Sequence, residues 1–151
     1  MDFQRVIMMS FLAFTLAVRG ATLQVQGIEG IARRPSGNHM PSPKAHPAVP
    51  AGVKTTICVF SLTNINQVKK IDNAGRFYAV QTQLIRRVDT DDSGRFHIDL
   101  PPGTYSVFTK KDNVFYATRR DEKNNIAPVE VLPGKMTRVE CSVESGHAAV
   151  Y

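Results

Sequence analysis

The chain has 151 residues, 42% of them apolar, with 19 Lys+Arg against 13 Asp+Glu and a formal net charge of +6. This length and balance describe one globular unit; they leave no room for two separate cores and give no ground for disorder throughout. No long apolar run follows the N-terminus, which excludes a multi-span membrane protein.

Val6 to Val18 is apolar except for Ser10 and Thr15. That is the length of a secretory hydrophobic region and too short to span a bilayer. Val18 and Gly20 are small enough for a cleavage site, so residues 1–20 are expected to be a signal peptide and residues 21–151 the mature domain. The competing reading is an uncleaved N-terminal anchor. Loss of Arg5, Arg19 and Asp2 leaves 17 basic and 12 acidic residues, a net of +5. The expected localisation is therefore exported, periplasmic or secreted, with no transmembrane span in the mature chain. Cys58 and Cys141 have two open readings there: a long-loop disulfide, or two buried thiols acting as small hydrophobes.

The mature chain reads as strands between turns, with no convincing helix. Thr22–Ala32 is a first strand interrupted by Gly27 and Gly30. Five prolines between Pro35 and Pro50 require a surface loop. Lys54–Thr63 is a central strand, with Cys58, Phe60 and Leu62 on one face and Ile57 and Val59 on the other. Residues 64–79 form a polar connection with room for a helical turn or an extra hairpin. Gln83–Thr90 resumes strand character, and Asp89 to Gly94 is a turn made by Asp and Ser side chains with Gly at positive φ. Arg95–Leu100 alternates strictly, Phe96, Ile98 and Leu100 against Arg95, His97 and Asp99. Further strands follow at 104–110, 114–118, 129–132 and 136–143, and in the last Val139, Cys141 and Val143 share a face. The pattern predicts an all-β fold, a roughly seven-stranded antiparallel Greek-key-type β-sandwich.

Thr90-Asp91-Asp92-Ser93-Gly94-Arg95-Phe96 and Leu100-Pro101-Pro102-Gly103-Thr104-Tyr105, together with residues 27–35 and 129–143, resemble the carboxypeptidase regulatory-like domain family. The resemblance implies a transthyretin-like sandwich and an accessory role beside enzymes, transporters or adhesins. It implies no peptidase activity, since the matching residues make turns and core contacts.

Residues that carry chemistry are sparse. Asp89, Asp91 and Ser93 imitate the start of a calcium loop, but the twelfth position is Leu100, so the ligand set fails. His39, His46, His97 and His147 have no metal-binding spacing, and no GxSxG elbow accompanies Ser93, His97 and Asp99. No catalytic residue, metal site or cofactor is expected. Basic doublets are dispersed along strands and give no nucleic-acid groove. Tyr78, Phe115, Tyr116, Arg119 and Arg120 form the candidate ligand or partner surface, near a polar loop at 121–125. Tyr105 is expected to pack in the core or tether a corner through its hydroxyl. The function expected is an exported, non-enzymatic envelope module that binds a protein through an edge strand or the end loops near 64–82 and 112–127. The alternative is recognition of carbohydrate or an anionic envelope polymer.

Overall fold

A computed structural model describes residues 25–34 and 50–143. The signal segment, most of the proline-rich loop, and His39, His46 and His147 lie outside the described residues.

The fold is a β-sandwich. Its strands are β1 (Gly27–Arg33), β2 (Thr56–Ser61), β3 (Val68–Lys70), β4 (Arg76–Val80), β5 (Leu84–Asp89), β6 (Arg95–Asp99), β7 (Gly103–Lys111), β8 (Val114–Tyr116), β9 (Pro128–Val131) and β10 (Met136–Ser142). A small sheet has the order β10-β1-β6. The large sheet runs β3-β4-β8-β7-β2-β5, with β9 also paired to β7. Each of these pairings is antiparallel except β1 with β10, which run parallel in the register Gly30 to Val139. The expected all-antiparallel arrangement is thus modified at one pair, because the first and last strands, far apart in sequence, need no hairpin to meet.

Strand periodicity explains the core. Ile28, Ala32, Phe96, Ile98 and Leu100 point from the small sheet onto Ile57, Val59, Val107 and Val131 of the large one. Their charged neighbours Glu29, Arg95, His97, Arg138 and Glu140 face outward, as alternation requires. The other face of the large sheet carries a second cluster of Cys58, Phe60, Phe77, Phe108 and Ile126. Among the described residues no third sheet covers it. Ile65, Val68, Val80, Phe115, Ala117 and Ala127 close it from the end loops instead. Leu62, expected beside Phe60, is 38% exposed because β2 ends at Ser61.

The connection at 64–82 contains both a helical turn and a hairpin. Asn64 caps a 3-10 turn over Ile65–Gln67, and Gln67 returns a bond to the Asn64 backbone in a capping box. β3 and β4 follow, with a register shift at Lys69/Lys70 that leaves Tyr78 unpaired. The turn before β6 forms as its residues dictate. The Asp91 carboxylate accepts from the N–H groups of Ser93 and Arg95, both at 2.9 Å. Gly94 sits at φ +77°, and a Cβ there would lie 2.4 Å from the Ala32 carbonyl oxygen. Tyr105 packs on the core and its hydroxyl donates to the Pro101 carbonyl at 2.6 Å.

Alternation along β2 also settles the cysteines. Cys58 belongs to the second cluster and Cys141 packs against the first, so the large sheet stands between the two sulfurs and both thiols are free. Burial pushes the Cys141 thiol up to about 12. Burial also raises Cys58, with Lys110 and Arg87 pulling the other way. At pH 8 Cys141 is held almost wholly as the thiol, and the thiolate is the reactive form. A thiol reagent at that pH is therefore expected to label the native protein far more slowly than the urea-unfolded chain, with Cys141 accelerating as pH rises towards 12. Rapid labelling of native protein near neutral pH would contradict the closed clusters.

Candidate functional site

Residues 64–82 and 112–127 are separate in the sequence and come together at one end of the sandwich. Asn64 Nδ2 donates to the Lys123 carbonyl at 2.8 Å, Ile65 N–H to the Asn124 carbonyl at 3.0 Å, and Ile126 N–H to the Thr63 carbonyl at 2.8 Å. Ala117 N–H donates to the Gly75 carbonyl at 3.0 Å, so the β3–β4 turn is tied to the strand leaving β8. These bonds satisfy backbone groups that a loose loop would leave to water.

Asp121 organises the second loop. Its Oδ1 accepts from the N–H groups of Lys123 and Asn125, and its Oδ2 accepts from Asn125 Nδ2. The Asn125 side-chain bond leads the causes that hold this carboxyl below its ordinary value. Asn124 takes φ +62°, a conformation Asn tolerates, whereas Ala127 at φ +41° is strained. Two bonds hold Ala127 there: its N–H to the Arg119 carbonyl, and its carbonyl from Val107 N–H.

The five residues singled out in the sequence separate. Tyr78 is the unpaired residue of the bulge and is 57% exposed. Phe115 turns inward instead, edge-on to Phe60 and Phe108, with Lys110 Nζ 5.1 Å from its ring centroid. Tyr116 stands across from Arg76 on the opposite face, half-buried. Arg119 and Arg120, adjacent in sequence and both exposed, line different clefts on either side of residues 117–118.

The first cleft, about 130 Å³, opens between β10 and the large sheet and is lined by Thr109, Tyr116, Arg119, Val129, Val139 and Cys141 among others. The second, about 330 Å³, has Ile65, Phe77 and Ala117 in its wall and Lys70, Asp72 and Arg120 around it. Asp72 is bonded to Arg76, which keeps its carboxyl below the usual range. Lys70 and Arg120 have no carboxylate partner among the described residues.

A concavity of about 810 Å³ lies on the outer face of the small sheet. Glu29 pairs there with Arg138 at 2.9 Å, Glu140 with Arg33 at 3.5 Å, and His97 with Asp99 at 2.9 Å. Arg33 Nε makes no well-aligned hydrogen bond, so its approach to Glu140 is a loose ion pair. Exposed pairs of this kind contribute at most about 1 kcal/mol each. This groove was not singled out in the sequence. The signal was the polar half of each alternating strand, but gathering those halves requires knowing that β6, β1 and β10 are neighbours. Along the outer face Arg33, Arg95 and Arg138 are interspersed with Glu29, Asp91 and Glu140, a pattern that suits a patterned protein surface better than a polyanion.

Among the described residues no helix is long and apolar enough to cross a membrane. Comparison with protein-family models, with curated proteins and with solved structures returned no match to this chain.

Proposed function

We propose that this chain is an exported, non-enzymatic accessory or structural module of a cell envelope, akin to the carboxypeptidase regulatory-like domains, that binds another protein. The observation that carries the reading is the convergence of residues 64–82 and 112–127 into one hydrogen-bonded end surface. The two segments carry the exposed Tyr78, Arg119 and Arg120 on a sandwich scaffold, the arrangement in which loops serve recognition. Aromatic and Arg side chains are also the types that dominate protein interfaces. The two motifs behind the family resemblance make the turns before β6 and β7, which supports kinship of scaffold and leaves the role to the surface.

The test is cross-linking of tagged protein in an envelope extract. A discrete protein adduct is expected, weakened at least about fivefold by the Arg119→Glu, Arg120→Glu double substitution with an unchanged unfolding midpoint. Absence of an adduct, or one indifferent to these charges, would overturn the reading. Recognition of an anionic or carbohydrate polymer is favoured by one observation: Lys70 and Arg120, which have no carboxylate partner among the described residues, stand beside an apolar-walled cleft. Retention on an acidic polysaccharide, lost on Arg120→Glu and Tyr78→Ala without any protein adduct, would replace the first reading by this one.

A further inference from the structure

A sheet edge presents unpaired backbone N–H and C=O groups, and proteins normally blunt such edges. The described residues contain five edges, and four are blunted. β9 is four residues long, opens on Pro128 and gives its Glu130 carbonyl to Thr137 Oγ1. β3 is three residues long, carries Lys69 and Lys70, and is interrupted by the shift opposite Tyr78. β5 has a bulge opposite Val59/Phe60 that twists its edge. β6 is five residues long, and the carbonyl of its first residue, Arg95, is taken by Asp91 N–H in the preceding turn.

β10 differs. It spans seven residues in unbroken register with β1. Val143 N–H donates to the Arg33 carbonyl and the Lys135 carbonyl accepts from Gly27 N–H, which fixes the phase of the strand. Residues 135, 137, 139, 141 and 143 turn their backbone groups towards β1. By alternation the N–H and C=O of Arg138 and Glu140 point away from β1, to the side on which no described strand pairs with β10.

The space beside this edge is shaped as well. β10 lies against β9 and β7, and the large sheet continues past it through β8 and β4. The cleft of about 130 Å³ opens there, between β10 above and Thr109, Tyr116 and Val129 below. It approaches the size class, roughly 150 Å³, that accepts one benzene-sized apolar group. Arg119 stands at its margin and has no carboxylate partner among the described residues.

We infer that the β10 edge accepts an extended segment of another protein as a fourth strand of the small sheet. One aliphatic side chain of that segment enters the cleft over Tyr116, and an acidic residue two positions away, on the same face, meets Arg119. This inference rests on the protein-binding reading above and names its mode and the chemistry of the partner segment. Main-chain bonds to Arg138 and Glu140 supply the affinity, and the cleft and Arg119 supply the selection. A second copy of this chain fits poorly. A two-fold axis pairing β10 with itself would put both overhanging large sheets on the same side and drive them together.

The experiment selects peptides from a phage-displayed random library on the folded chain and measures the affinity of synthetic versions. Two variants at one position separate backbone from side chain. Glu140→Ala removes the carboxylate and keeps the outward N–H. Glu140→Pro removes the N–H too, at an edge position where proline leaves the β1 pairing intact. Enriched peptides are expected to carry an aliphatic residue with an acid two positions away. Their affinity should fall at least about tenfold in Glu140→Pro and stay within about twofold in Glu140→Ala, the loss expected when a strand bond is removed and its partner carbonyl is left unpaired. In the unsubstituted protein, amide exchange of Arg138 and Glu140 should slow when peptide binds, a readout independent of how the variants fold. No enriched peptide, equal affinity for both variants, protection at another edge, or self-association that Glu140→Pro abolishes would each overturn strand addition. A protein adduct that needs Arg119 and Arg120 but is indifferent to Glu140→Pro would overturn it and leave the protein-binding reading standing.

Discussion

Phe108→Ala is expected to destabilise the protein by about 4 kcal/mol and to lower the unfolding midpoint by roughly 15 °C. Phe108 lies on the central strand β7 and is fully buried. Its ring meets Phe60 at 5.5 Å, Phe77 at 6.0 Å and Phe115 at 6.2 Å between centroids, all edge-on. Edge-on aromatic pairs contribute roughly 0.5–1.5 kcal/mol each beyond area burial, so deletion of the ring removes both packing and three oriented contacts. The neighbours cannot collapse into the void. One wall is the large sheet, and the other is the roof of Ile65, Ile126 and Ala127, pinned by the bonds that join the end loops. The loss should therefore reach the candidate surface, with faster amide exchange at Ile65 and Ile126. Phe108→Leu, which keeps most of the volume, should cost less than half as much. Urea and thermal unfolding of the two variants provide the measurement. A loss under about 1 kcal/mol for Phe108→Ala would mean that the second cluster is not the closed core described here.

That second cluster shows what the sequence made legible and what it hid. Apolar residues on both faces of β2 announce a central strand, and Cys58 and Phe60 are indeed covered. Their cover comes from end loops whose apolar residues, Ile65, Ala117 and Ile126, are scattered among polar neighbours with no period of two to reveal them. The turns at 89–94 and 101–103 were legible because Asp, Gly and Pro act locally. The parallel β1–β10 pair was not, since periodicity assigns faces and says nothing about partners. Tyr78 is an aromatic in a polar stretch, and the bulge exposes it. Phe115 was drawn into the same surface although strand alternation sets it opposite Tyr116, and only the pairing with β7 decides which of the two faces the core. Arg119 and Arg120 look like one basic patch in sequence. Neighbouring residues of an extended segment point apart, so they serve two clefts. The open edge of β10 was beyond reach, because an edge exists only once every strand has found its neighbours.

Gly30→Ala tests the pair that the sequence could not specify. Gly30 lies mid-way along β1, with Val139 of β10 on one side and Phe96 of β6 on the other. A Cβ placed there would stand 2.0 Å from the Val139 carbonyl oxygen and 3.0 Å from Phe96 Cζ. The first contact is with backbone, so no rotamer change relieves it, and β10 must move away from β1. The expected loss is about 3 kcal/mol, at the upper end of the range for overpacked sites. It should be concentrated at β10, whose pairing in the small sheet is to β1 alone. The two thiols report this directly. Cys141 on the displaced strand should react with a thiol reagent at pH 8 many times faster than in the unsubstituted protein. Cys58, held in the second cluster on the far side of the large sheet, should stay slow. Equal acceleration of both would indicate global unfolding instead of release of one strand. An unchanged midpoint with slow Cys141 would show that β1 and β10 are not paired at Gly30 and Val139. The same displacement would distort the edge to which a partner strand is inferred to add, so peptide affinity should fall in step with Cys141 exposure and not with that of Cys58.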